Sequence, residues 1–139
     1  MAAPPPNEAT DTGALGRSLV DTFGKGWAKQ DIELLLSVFA EDAVFLETPF
    51  ARPRKGIGAI RDYWRDIGYH QSEGRFSSGE IFTAGPWFSA EFKFVFRRRR
   101  TGEWVDVRGA IFCETAGAKI AAMRMYWHRW AGGREIRQD

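Results

Sequence analysis

The sequence predicts an α+β domain in which three helices precede a curved, mainly antiparallel sheet. Three observations predict it. Apolar residues recur at helical spacing through the first half of the chain; from Arg75 onward they alternate at the period of a strand; and between Phe39 and Trp64 the period changes twice, from 3.6 to 2 and back. Runs of helix followed by runs of strand are the pattern of α+β folds.

The first helix is expected over Leu15–Lys29, where Leu15, Leu19, Val20, Phe23 and Trp27 share one face. Gly24 and Gly26 lower its propensity by roughly 1 kcal/mol each, and suit close approach to the sheet. Asp31 is the expected N-cap of a second helix carrying Leu34, Leu35, Val38 and Phe39. The turn Glu41-Asp42 and a short apolar strand, Ala43–Leu46, follow, with Glu47 at its exit. A loop punctuated by Pro49 and Pro53 leads to a third helix, about Gly58–Ile67, carrying Ile60, Tyr63, Trp64 and Ile67. Strands are expected at Arg75–Ala84, Phe88–Arg98, Glu103–Thr115 and Lys119–Trp130. No internal repeat or linker divides the chain. Residues 14–131 read as one domain, between a disordered tail at 1–13 and a C-terminal tail at 132–139.

With 139 residues, 44% of them hydrophobic, the chain can bury a real core. Six Trp and eleven Phe suffice for a core, a dimer face or an aromatic pocket. The lone cysteine, Cys113, excludes an intramolecular disulfide and reads as a small core or interface residue. No apolar run approaches the roughly 18–20 residues of a membrane span, and the first residues lack the basic start and apolar segment of a signal peptide. The expected location is the cytoplasm. A net charge of +2 leaves only a weak overall field. The run Arg97–Arg100 precedes Thr101-Gly102, so it falls at a hairpin tip; it contains none of the interleaved aromatics of single-strand binders and reads as solvated, without nucleic acid as a partner.

The segments FAEDA, Glu47 and GIGAIRDYW resemble the ketosteroid-isomerase and SnoaL-like branch of the nuclear-transport-factor-2-like superfamily, over about Leu15–Trp130. The resemblance implies a cone-shaped α-β barrel with helices packed over the concave sheet face. It also implies a homodimer through the outer face, and a general base at the position of Glu47 that removes a proton next to a carbonyl. It argues against steroid isomerisation itself. The tyrosines that support that reaction align with Phe23, Phe39 and Trp64, and its second acid falls near Arg108 or Ala110. Rings without a hydroxyl supply no oxyanion donor, and losing one donor costs about 3–4 kcal/mol.

Which residues share the cone's inner face depends on two turns. A three-residue loop pairing Arg99 with Glu103, then a two-residue turn at Ala116-Gly117, places Phe92, Phe94 and Phe96 with Asp106, Arg108, Ala110, Phe112, Met123, Met125 and Trp127. The opposite face then holds Val95, Val107, Ile111, Cys113, Ile120, Tyr126 and His128, of which Val107, Ile111 and Tyr126 would meet a second copy.

The expected site follows from this register. Glu47 is the candidate general base and Arg108 its electrostatic partner, for holding a carboxylate or enolate oxygen. Phe23, Trp27, Trp64, Phe92, Phe94, Asp106, Phe112, Met123, Met125 and Trp127 are the candidate ligand contacts. Against these stand plainer roles: Glu47 paired with Arg52 or Arg54 or simply solvated, and Arg108 in a structural ion pair with Asp106 or Glu47. No spacing of His, Cys and carboxylates suggests a metal site, and no cofactor is implied. His70 and His128 read as surface residues. The function expected is binding of a small apolar or aromatic molecule, with isomerase, cyclase or lyase-type proton transfer; the alternative is a non-catalytic dimeric module with a filled cavity.

Overall fold

The computed structural model describes residues 8–131, with side chains from residue 12 onward. Helix α1 spans Glu8–Lys29, α2 Ile32–Leu36 and α3 Ile57–His70. Seven strands follow the order β1 Phe39–Leu46, β2 Arg54–Lys55, β3 Gln71–Ser78, β4 Phe82–Ala84, β5 Trp87–Arg98, β6 Trp104–Ala116 and β7 Lys119–Trp130. They form one open, curved sheet in the order β2-β1-β7-β6-β5-β3, with β4 beside β3 on β5. All pairings are antiparallel except β1 with β7. The cone is therefore not a closed barrel. No helix among the described residues is long and apolar enough to cross a membrane.

Helix α1 begins earlier than its apolar pattern suggests, at Glu8, inside the tail expected at 1–13; residues 1–7 of that tail and the tail expected at 132–139 lie outside the described residues. Asp31 caps α2, accepting from the Leu34 amide at 3.1 Å. That helix ends at Leu36, so Val38 falls in the turn that follows and Phe39 opens β1, where it pairs with Ile120 on β7. Two glycines in α1 allow the layers to close. A methyl group on Gly24 would sit 2.1 Å from the Phe76 ring, and one on Gly26 2.6 Å from the Leu35 backbone nitrogen.

The turn between β5 and β6 decides the sheet's faces. Its loop has four residues, 99–102: the Gly102 amide donates to the Arg98 carbonyl at 2.8 Å, and the Arg98 amide to the Glu103 carbonyl at 2.8 Å. Gly102 takes a φ of 74°, which favours glycine. The expected loop is one residue shorter, so β6 is slid by one position and its faces are exchanged. Val105, Val107, Ile111 and Cys113 turn inward with Phe92, Phe94 and Phe96; Asp106, Arg108, Ala110 and Phe112 turn outward. The physical reason lies in β6 itself. This register buries its apolar set and leaves Arg108 half exposed beside the buried Asp106 on the outer face, whereas the other would take that ion pair into the core at a cost of several kcal/mol. A register shift between Glu114 and Thr115 adds a second one-residue slip on β7. The two slips cancel, and Met123, Met125 and Trp127 face inward as expected.

Candidate ligand cavity at Glu47

Strand alternation carries Ala43 and Phe45 into the core, both fully buried, and Glu47 follows on the same face where β1 ends. Its side chain is 19% exposed. The β1–β2 pairing sets Arg54 opposite Phe45, and the Arg54 Nη2 donates to Glu47 Oε1 at 2.9 Å. The same guanidinium lies 4.7 Å above the Tyr63 ring. The Tyr63 phenol lies near the Glu47 carboxylate; burial first, and that carboxylate next, push it far above its usual pKa. From β7, Trp127 Nε1 donates to the Glu47 backbone carbonyl at 2.7 Å, pinning the strand end.

Beside this carboxylate lies a half-enclosed cavity of about 190 Å³. Its wall is mostly apolar: Trp27, Trp64, Phe92, Phe96, Trp127, Ile67, Val107 and Met125. Glu47, Tyr63, Gln71 and Arg129 supply the polar side chains. A concave, mainly apolar wall with few polar groups is the usual form of a small-molecule site. Trp27 Nε1 donates to Gln71 Oε1 at 2.9 Å. The indole nitrogen of Trp64, by contrast, is buried without a hydrogen-bond partner.

Of the residues expected to meet a ligand, Trp27, Trp64, Phe92, Met125 and Trp127 line the cavity together with Glu47. Phe23, Phe94 and Met123 do not line it; they are buried behind it, with Phe94 stacked on Trp27 at 3.9 Å between ring centroids. Asp106, Arg108 and Phe112 require correction. The slid register puts them on the outer face, where Arg108 donates to both Asp106 oxygens at 3.2 and 3.0 Å. Arg108 is therefore the plain ion-pair partner of Asp106 and stands across the sheet from Glu47's cavity.

Sequence reasoning missed Tyr63, Gln71 and Arg129. Tyr63 precedes Trp64 on α3, and its phenol comes near Glu47 only through the helix's docking. Arg129 follows Trp127 by two residues, so alternation alone places it inward, opposite Val107.

The arginines at the β5–β6 tip are mostly engaged within the chain. Arg97 contacts Glu73 and the Trp104 ring, Arg98 Glu103, and Arg99 Gln30 and the Gly68 carbonyl. Among the described residues, no group of three or more His, Cys, Asp or Glu is gathered as for a metal ion.

The SnoaL-like domain model matches residues 20–123. No curated protein matches the sequence significantly. Solved structures do resemble the fold. A candidate isomerase from Bacillus subtilis superposes with a TM-score of 0.74 at 21% identity, covering 86% of this chain and 88% of that one. The epoxide hydrolase/cyclase-like enzyme SalBIII, of pyran ring formation in the polyether salinomycin, gives 0.71 at 16% identity, over 83% and 94%. An LEH-like epoxide hydrolase from M. tuberculosis gives 0.69 at 15% identity, over 87% and 85%. At these identities the likeness carries the fold alone.

Proposed function

The chain belongs to the SnoaL-like family, and from that premise we propose that it binds a small apolar or aromatic molecule in the cavity and acts on it through Glu47. The single observation carrying this reading is the Glu47 carboxylate, presented to a pocket of rings, held by Arg54 and flanked by the Tyr63 phenol. In this role Glu47 takes a proton from a carbon next to a carbonyl, and the C–H electron pair moves into the enolate. The protonated acid then returns its proton at a second position, or the enolate expels a leaving group; these are the isomerase and lyase outcomes. The Tyr63 phenol flanks the carboxylate, and the indoles of Trp27, Trp64 and Trp127 exclude water from it.

The test is turnover and affinity in Glu47→Gln against a substrate found by thermal-shift screening of aromatic acids, polyketides and steroids. Binding should persist and turnover fall by at least 10²-fold, within the range general base catalysis supplies. Unchanged turnover removes Glu47 from the chemistry.

A second reading has its own observation. Glu47 already has Arg54 as ion-pair partner and hydrogen-bond donor, as a purely structural carboxylate would. In that reading the chain is a non-catalytic dimeric module, joined through the outer face. That face carries Phe112, Tyr126 and Trp130, all more than a third exposed, in place of Val107 and Ile111, which face inward. A screen with no stabilising compound, together with a dimer by sedimentation, favours it.

A further inference from the structure

We propose that the cavity selects an apolar carboxylate, and that Arg129 at its rim is the residue that recognises the acid group; this rests on the small-molecule reading above. The first argument is a charge inventory. Glu47 and Arg129 are the charged residues in the cavity wall. The negative charge of Glu47 is already met by Arg54 at 2.9 Å. Among the described residues Arg129 makes no ion pair, so the wall carries one uncompensated charge, and it is positive. An anionic guest is favoured there, although Glu47 is close.

The second argument is a donor and acceptor inventory. Two side-chain acceptors in the wall are engaged: Glu47 Oε1 by Arg54, and Gln71 Oε1 by the Trp27 indole. The unspent capacity is on donors. The Trp64 indole N–H is buried and unpartnered, and the Arg129 guanidinium is exposed at the rim. A guest that satisfies this wall brings oxygen acceptors rather than N–H groups. Arg129 also has the planar fork that a carboxylate matches with two parallel hydrogen bonds. Position supports the same assignment. Met125, Trp127 and Arg129 step along β7 on one face, so a guest packed on Met125 and Trp127 has its end at the guanidinium.

The experiment is calorimetric titration of the full chain with 2-naphthoate and biphenyl-4-carboxylate, each against its primary amide, at neutral pH and low salt. At least one acid should bind about tenfold more tightly than its amide, a difference of about 1.4 kcal/mol, and the preference should shrink in salt. Arg129→Gln should erase the preference while the amide binds as before, and Arg129→Lys should keep part of it. Equal affinities for acid and amide, or a preference that survives Arg129→Gln, overturn the assignment while leaving the small-molecule reading intact. Failure of every acid and amide to bind overturns both.

Discussion

The two ends of the cone are built from the same alternating strands and the same residue types, yet one is solid and the other hollow. At the closed end Phe23 is fully buried, with the rings of Trp27, Phe39, Trp64 and Phe76 edge-on around it at 5.4–6.3 Å. Phe45 extends the cluster to Phe39, Tyr63 and Trp64. At the open end Trp27 and Trp64 turn their other sides to a cavity of about 190 Å³, where the inward positions are Glu47 and Arg129. The difference teaches that a ring-rich sequence does not choose between a plugged and a ligand-binding cone. Two charged side chains at strand ends keep one mouth open, because filling it would strip them of water.

The largest effect should come from breaking the closed end. Phe23→Ala removes the hub of the ring cluster and should cost about 3–5 kcal/mol in urea unfolding; a cost below about 1 kcal/mol would mean that the stability lies elsewhere. Next, Gly26→Ala drives a methyl into the α2 backbone, which has no rotamer to yield with, and should cost about 1–3 kcal/mol by the same measurement.

Alkaline unfolding sharpens the comparison, since one shifted group sits in each region. Burial raises the Cys113 thiol, and burial with the Glu47 carboxylate raises the Tyr63 phenol. Both folded values lie above the unfolded ones, so the associated stability is complete below the unfolded pKa values, about 8.5 and 10. It is lost as pH rises beyond them, by up to about 1.4 kcal/mol per pH unit for each group. Urea melts from pH 8 to 11 should show this decline. Cys113→Ala should remove the component that starts first, and Tyr63→Phe the later one. A decline in both variants as steep as that of the unsubstituted chain would assign it to other groups.

Trp127→Phe tests the open rim. It keeps a ring in the cavity wall but loses the indole bond to the Glu47 carbonyl, and should cost about 1 kcal/mol in thermal unfolding. The smallest effect belongs to Phe50, in the loop after Glu47 and 98% exposed: Phe50→Ser should change stability by less than about 0.5 kcal/mol.

Local rules carried the reading of the fold a long way. The cap at Asp31, the strand Lys119–Trp130 and the amphipathic face of α3 follow from side-chain chemistry and period alone, and the structure has each of them. Where the reading missed, long-range pairing had prevailed. Phe39 continues a helical pattern in sequence but is taken by β7, and β2 is only two residues whose partner is β1. For the site, Glu47 was legible as the single acid closing an apolar strand. Arg108 was misplaced because one additional residue in the loop 99–102 exchanges the faces of β6.

Periods of 3.6 and 2 written in the chain were enough for the class of fold, the order of its helices and longer strands, and the inward run of Phe92, Phe94 and Phe96, though not for the two-residue β2. Tertiary packing was needed to settle that Arg129 rather than Arg108 shares the cavity with Glu47, and that Arg54 is the arginine paired with that carboxylate. The physical reason is parity. A side chain's face in a sheet depends on whether the residues before it in each turn and bulge number odd or even, and that number is settled by what the whole strand gains when it is buried.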